Sequence, residues 1–258
     1  MPLHLTLLTG GSRGMGLAMA RQLLQPGRML VSLARTSQPE LTATASAQGA
    51  VLEQWQQDLS RSEEAAQRLA DWLTAQDPAR FTSVTLINNA GMIPRIASLS
   101  ASAPADLAQA LRVGLEAPML LAAAFLGATE SWCQADGMPM VRKLLNISSG
   151  LGRRAMASQA AYCAAKAGMD HFTRCVALDE ALKPHGAKVC SLAPGVIDTD
   201  MQIQLRSTDP KDFPDVANFA HLKTTGQLTT PSEAATQVLA WLERADFGST
   251  AVADVRNA

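Results

Sequence analysis

Aromatic residues are scarce, 4% of the 258-residue chain, and only one of them is a tyrosine, Tyr162. Cysteine is scarce too. Cys133, Cys163, Cys175 and Cys190 are widely spread with no C-x-x-C pair, which excludes the clustered ligand sets that zinc needs and fits free thiols in a reducing compartment. No metal site is expected. Neither sign of charge is in excess: the net charge is −1, with no basic tract or acidic tail, which weighs against nucleic acid as a partner. No apolar run approaches the roughly 20 residues that would span a bilayer. The opening MPLHLTLLTG lacks a basic n-region and runs straight into a glycine turn, so it reads as a first strand rather than a signal peptide. These absences lead to the expectation of a cytoplasmic protein without a membrane or nucleic-acid partner.

Hydrophobic residues at 47% and charged residues at 17% suffice for a sizeable core and exclude disorder. Short apolar runs alternate with longer amphipathic ones. Strands are predicted at Leu3–Thr9, Arg28–Leu33, Ala50–Gln56, Ser83–Asn88, Lys143–Ile147, Ala187–Leu192 and Thr250–Val255, and helices at Gly14–Gln25, Ser62–Ala75, Ala105–Ala128, Gln159–Leu182 and Ser232–Arg244. The alternation indicates βαβ units. Because the strands are nearly all apolar, the sheet is expected to be covered on both faces. The fold class read from this is α/β: a single Rossmann-type domain, a doubly wound parallel sheet of seven strands. The stretch 201–230, with Pro210, Pro214 and Gly226, reads as an irregular functional lid.

TGGSRGMG, residues 9–16, sits between the first strand and the first helix. Glycines there permit a tight turn and close approach to a pyrophosphate, and the helix start offers free N–H groups. Gly10, Ser12, Arg13, Gly14, Met15 and Gly16 are the candidate cofactor-binding residues of this turn. The second strand ends VSLART, with no acid before Glu40, whereas NAD sites place an acid there for the ribose 2′-hydroxyl. Arg35 stands where a 2′-phosphate would lie, and Arg13 is a second candidate clamp, since a guanidinium meets phosphate with a planar fork of donors. NADP(H) is the expected cofactor.

Tyr162 and Lys166 are four residues apart in an alanine-rich helical stretch and so share a helix face. An ammonium beside a phenol favours the phenolate, making Tyr-x-x-x-Lys a device for passing a proton to or from a carbonyl oxygen. Upstream, LLNISSG ends a strand and delivers Ser148 and Ser149 to the edge where such sheets bind ligands. A serine hydroxyl there can polarise a substrate oxygen.

With TGGSRGMG at 9–16, DL at 58–59, NNAG at 88–91, NISS at 146–149, YCAAK at 162–166 and APGVIDTDM at 193–201, the chain resembles the short-chain dehydrogenase/reductases over nearly its whole length. The resemblance implies that Tyr162 is the general acid/base and that Lys166 lowers its pKa and binds the nicotinamide ribose. It selects Ser149, thirteen residues before the tyrosine, as the third catalytic residue. It also places Asp58 and Leu59 at the adenine, Asn89, Ala90 and Gly91 at the cofactor ribose, and Pro194, Gly195, Val196, Ile197 and Thr199 at the nicotinamide end. One member of the pattern is missing: in RVGLEAPM, Gly114 stands where the family has an asparagine that supports a water relay to the lysine. Glycine keeps the main-chain carbonyl but loses the amide side chain, so a weaker or rerouted relay is expected.

For the substrate, Ser149, Met201, Leu205, Phe213 and Phe219 are candidates to meet a flat or aromatic molecule, and no arginine or lysine cluster beyond the cofactor region points to a highly anionic one. DTDMQ, LKTTGQL and the short tail strand are similar to sepiapterin reductases and bacterial benzil (diketone) reductases. That likeness implies NADPH-dependent reduction of a ketone or vicinal dicarbonyl, with Asp254 as a candidate substrate anchor. A 3-oxoacyl or steroid-type reductase, or a non-catalytic NADP(H)-binding sensor, are the competing expectations. Relatives pair through the two long helices, and their alanine runs here fit close approach, so a homodimer or homotetramer is expected.

Overall fold

The computed structural model describes residues 2–257. In chain order it runs β1 (Leu3–Thr9), α1 (Gly14–Leu23), β2 (Arg28–Ala34), α2 (Pro39–Gln48), β3 (Val51–Gln56), α3 (Ser62–Thr74), β4 (Phe81–Asn88), α4 (Pro104–Leu111), α5 (Ala117–Thr129), β5 (Val141–Ile147), α6 (Ala160–Ala181), β6 (Lys188–Ala193), α7 (Asp200–Arg206), α8 (Val216–Thr224), α9 (Pro231–Leu242) and β7 (Val252–Asp254). The strands form one seven-stranded sheet in the order β3-β2-β1-β4-β5-β6-β7, and every pairing is parallel.

Side chains alternate across each strand, and the apolar ones build a core on each face. Leu5, Leu7, Val31, Leu33, Val84 and Leu86 pack toward α3 and α5, where Leu69, Leu73, Leu121 and Phe125 meet them. Leu8, Leu30, Ile87 and Leu145 pack the other way, against Met19 and Leu23 of α1 and Val238 and Leu242 of α9. Both faces are therefore dry, which is why the strands show no hydrophobic–polar alternation in the sequence. Helix α9 starts with a full capping box: Thr230 accepts from the Glu233 N–H, and the Glu233 carboxylate accepts from the Thr230 N–H.

Four expectations are revised. Helix α2 has no counterpart in the sequence reading, because PELTATASAQ buries only Leu41 and Ala45 and carries no apolar stripe. The lid is not irregular, since α7 and α8 lie within it. The long helix expected over 105–128 is α4 and α5 joined through a π-helical turn at Arg112–Glu116. That continuous Pro104–Thr129 segment is 26 residues and, by length and composition alone, apolar enough to cross a membrane. The expectation that no such run exists fails on this point. The same helix nevertheless buries Ala117, Leu121 and Phe125 in the core above the sheet, which explains its apolarity without a bilayer.

Candidate active site

The strand order reverses between β1 and β4, and a crevice opens at the carboxyl ends of strands flanking such a switch. A cavity of about 1170 Å³ lies there. Gly10, Ser12, Arg13, Gly14, Met15, Gly16, Arg35, Asp58, Leu59, Asn89, Ala90 and Gly91 line one part of it. Ser149, Tyr162, Lys166, Pro194, Gly195, Val196, Ile197 and Thr199 line the part beyond. The fold thus brings motifs 150 positions apart to one surface.

The glycine turn is fixed from two sides. The Thr9 hydroxyl oxygen accepts from the N–H groups of Asn89 and Ala90, at 2.9 and 3.0 Å. The Asn89 amide donates back to the Thr9 carbonyl at 3.0 Å. At Gly16 a Cβ would sit 2.1 Å from the Gly10 carbonyl oxygen, so the start of α1 can approach the turn only without a side chain. A helix N-terminus with an open approach is what a pyrophosphate requires.

Arg35 follows β2 directly and faces the cavity near Asp58. The Asp58 carboxyl is held below its ordinary range, first by the Ser60 N–H and further by the positive charge of Arg35. Arg13 pairs with Asp200 at 3.1 Å, both side chains largely exposed, and so links the glycine turn to the first residue of the lid helix α7.

At the other end, β5 stops at Ile147 and the chain continues through Ser148 and Ser149. The Ser148 hydroxyl is buried and has no hydrogen-bond partner among the described residues. The Ser149 hydroxyl accepts the Leu151 N–H at 3.1 Å and is close enough to the Tyr162 phenol to favour its ionised form, which distinguishes Ser149 from its neighbour. Lys166 is 4% exposed. Its ammonium donates to the Ile147 carbonyl at 2.7 Å and lies 5.9 Å from the Tyr162 ring centroid. Burial pushes the Lys166 ammonium down to about 8, against the opposing pull of the Asp170 carboxylate.

The expectation that the lysine lowers the tyrosine needs correction. Burial pushes the Tyr162 phenol above its ordinary value, and the group pulling it back is the Ser149 hydroxyl. Loss of solvent around a phenol that is 9% exposed outweighs a cation whose nearest oxygen partner is a main-chain carbonyl.

Gly114 lies in the π-helical turn, buried against α6. A Cβ there would meet the Ala165 Cβ at 3.1 Å. The absent asparagine side chain is therefore matched by close contact between this turn and the helix carrying Lys166. Motif asparagines hold the frame below: Asn88 donates to the Asn146 side chain at 2.9 Å, and Asn146 to the Thr173 hydroxyl at 2.9 Å.

The lid sits over the tyrosine. Ile93, Ile96, Tyr162, Leu205 and Phe213 form one buried cluster, with Met201 and Phe219 packed on it. Met201, Leu205 and Phe219 line the cavity. Phe213 does not: it is fully buried and stacks on Phe219 with ring centroids 5.6 Å apart, so it staples the lid rather than meeting a ligand. Asp254 lines the cavity, but both its oxygens are taken by the Arg256 guanidinium, at 2.8 and 2.6 Å. It is an ion-pair partner rather than a free anchor.

Sequence reasoning missed Arg153, Arg154, Gln159 and Arg256, all of which line the cavity. Arg153 and Arg154 carry no motif signal, and only the return of the chain after β7 brings Arg256 beside them. The expectation of no cationic cluster beyond the cofactor region is thereby corrected.

Known proteins resemble this chain in sequence and fold. The benzil reductase ((S)-benzoin forming) of Bacillus subtilis (strain 168) is 34% identical over 246 residues, covering 94% of this chain and 94% of the relative. The sepiapterin reductase of Meriones unguiculatus is 29% identical over 258 residues, covering 96% and 94%. A crystal structure of a 3-oxoacyl-[acyl-carrier protein] reductase from Brucella melitensis in complex with NAD superposes with a TM-score of 0.80 at 24% identity, over 99% of this chain and 96% of that one. The short chain dehydrogenase family profile matches residues 4–210. The chain belongs to the short chain dehydrogenase family of oxidoreductases.

Proposed function

We propose that the protein is an NADPH-dependent carbonyl reductase that converts a ketone or vicinal dicarbonyl to the alcohol, with Tyr162 as the proton donor. The observation that carries this reading is the joining of a glycine-lined cradle to Ser149, Tyr162 and Lys166 inside one cavity.

The residues present fit a dinucleotide. The Gly10–Gly16 approach leaves no room for a Cβ, Arg35 and Arg13 offer guanidiniums near the turn, and a Cβ placed on Gly91 would come within 3.7 Å of the Lys166 ammonium. Arg35 in place of an acid after β2 supports the phosphorylated cofactor. When bound, the nicotinamide supplies hydride. This chain's own residues do the rest. Ser149 and Tyr162 hydroxyls hold the substrate oxygen, the neutral phenol releases its proton to that oxygen, and the Lys166 ammonium, bonded to the Ile147 carbonyl, holds α6 against the strand end that carries Ser149. Leu205, Met201 and Phe219 keep water from the reacting face.

The likeness to benzil and sepiapterin reductases supports a carbonyl set beside a second carbonyl or a ring. The same reading puts a homo-oligomer in the cytoplasm, supported by four unpaired cysteines and by Leu111, Met119, Leu178 and Leu182 left exposed on α4, α5, α6 and just after α6. Purified protein mixed with NADPH and a panel of benzil, sepiapterin, quinones and acetoacetyl thioesters is followed by loss of reduced-nicotinamide absorbance. Turnover of a dicarbonyl is the expected result. Tight NADPH binding with no turnover of any compound would replace this reading with a cofactor sensor, and light scattering reads the oligomer.

A further inference from the structure

Three guanidiniums lie around the substrate end of the cavity, and two of them are held in place by buried acids. Arg153 donates through Nε to Asp170 at 3.0 Å and through Nη2 to the Ala253 carbonyl at 2.9 Å. Asp170 is itself 1% exposed and fixed by the Ser191 hydroxyl at 2.6 Å. Arg256 donates through Nε and Nη2 to the two oxygens of Asp254, which is 6% exposed. A guanidinium bound along one edge keeps its other donors free and its plane fixed. Both side chains remain partly open, 33% and 62%. Among the described residues, neither Arg153 nor Arg256 has an Nη1 bond.

Placement matters as much as charge. Arg256 Nη2 comes within 3.9 Å of the Cβ position of Gly150, the residue after Ser149, so the guanidinium lies over the loop carrying the candidate catalytic serine. Arg154 lines the same cavity. Arg153, Arg154 and Arg256 against Asp170 and Asp254 leave an excess of positive charge along this wall of the cavity. Gln159, 1% exposed and also lining the cavity, has neither amide atom bonded among the described residues. Buried amides normally find partners, so this one is available to a polar ligand.

We infer that the substrate carries a carboxylate next to the reacting carbonyl, held by Arg256 with Arg153 beside it, so that the preferred substrate class is the 2-oxo acids bearing an apolar group. This deepens the reductase reading and rests on it. Aromatic or alkyl substituents pack on Met201, Leu205 and Phe219, the carboxylate takes the free guanidinium edge, and the ketone oxygen is left to Ser149 and Tyr162. A charge-assisted bond to a fixed fork is stronger than a neutral one, whereas a neutral dicarbonyl offers Arg256 only an uncharged acceptor.

The test compares benzoylformate with its methyl ester, which have the same ketone and ring and differ in the charge. The acid is expected to show a kcat/KM about tenfold or more above the ester, and the ratio to shrink as salt is raised. In the paired variant Asp254→Asn with Arg256→Gln, which leaves no buried carboxylate uncompensated, the acid-to-ester ratio is expected to fall toward one. Calorimetric binding of mandelate, the product alcohol, gives a readout free of turnover and should weaken about tenfold in the paired variant. Reduction of the ester as well as or better than the acid, or a ratio unmoved by the paired variant, overturns the carboxylate assignment and leaves the reductase standing. Mandelate binding that depends on Arg256, with neither compound reduced, sinks the reductase reading and keeps the anion site.

Discussion

The Lys166 ammonium donates to the main-chain carbonyl of Ile147 at 2.7 Å, and Ile147 is the last residue of the strand from which Ser149 emerges two positions on. One bond thus ties α6 to the end of β5 at the base of the site. Tyr162 and Ser149 are carried by these two elements, so their relative position is set by the lysine as well as by the sheet.

Holding a cation in so dry a place has a consequence for stability. The Lys166 value falls from 10.5 to about 8 on folding, so between these values the unfolded chain binds the extra proton. Stability therefore rises with pH across that window, and the burial penalty is fully present below pH 8. By linkage the span is worth up to about 3 kcal/mol. Denaturant melts from pH 7.5 to 10 should show wild type gaining on Lys166→Met over this range, and parallel curves for the two proteins would refute the burial argument.

Removing the Tyr162 hydroxyl by Tyr162→Phe is expected to lower kcat/KM for ketone reduction by roughly 10²–10⁴-fold, with NADPH affinity nearly unchanged. Fluorescence titration of the cofactor separates the two effects. Turnover that survives this substitution would remove the tyrosine from the mechanism.

The pH dependence of the two reaction directions follows from the same phenol. Burial keeps Tyr162 protonated above its ordinary range, so reduction should hold level through neutral pH and decline only on the alkaline side. Alcohol oxidation, which needs the phenolate, should climb as pH rises. Log rate against pH in both directions checks this, and a reduction rate that falls already below neutral pH would contradict it.

Arg35→Asp puts an acid where the second strand ends. The preference of NADPH over NADH, as a ratio of kcat/KM values, is expected to fall by about tenfold or more. An unchanged ratio would refute the assignment of Arg35 to the 2′-phosphate.

Gly114→Ala presses a methyl to 3.1 Å from the Ala165 Cβ. A loss of about 1–3 kcal/mol is expected from overpacking, measured by chemical denaturation. Ala165→Gly in the same chain should recover part of it, a coupling that a double-mutant cycle reads. Gly114→Asn, with the larger side chain, should not raise turnover. A strong rise in kcat would show that the wild-type proton path is impaired for want of the amide.

Where burial leaves a simple pattern, the sequence was legible: α1, α3, α6 and α9 could be placed because their apolar residues recur at the helix spacing, and the strands because a sheet buried on both faces makes them short, nearly continuous apolar runs. Ser149, Tyr162 and Lys166 stood out because each sits in a short ordered motif, and the fold puts them in one cavity. Helix α2 was invisible because an alanine–threonine–serine segment with two buried residues has no period to read. The π-helical turn depends on a close contact between Gly114 and Ala165, 51 positions apart, which no local pattern encodes. Phe213 and Phe219 look alike in sequence, yet one is stapled inside the lid and the other faces the cavity. Arg153 and Arg256 carry no motif in sequence and line one cavity only after β7 closes the sheet.

All seven strands run in the same direction, which gives the molecule a working end and a blank end. The start of β1 stands some 20 Å from the glycine turn, at about 3.3 Å per residue along the strand. The stretch after β7 lies beside Arg256 at the cavity wall. A tether or affinity handle joined ahead of Leu3 therefore leaves the mouth of the cavity facing solution, and one joined behind Asn257 crowds the guanidiniums. Immobilised enzyme should accordingly be anchored by its leading end, with the sheet serving as a spacer between support and substrate.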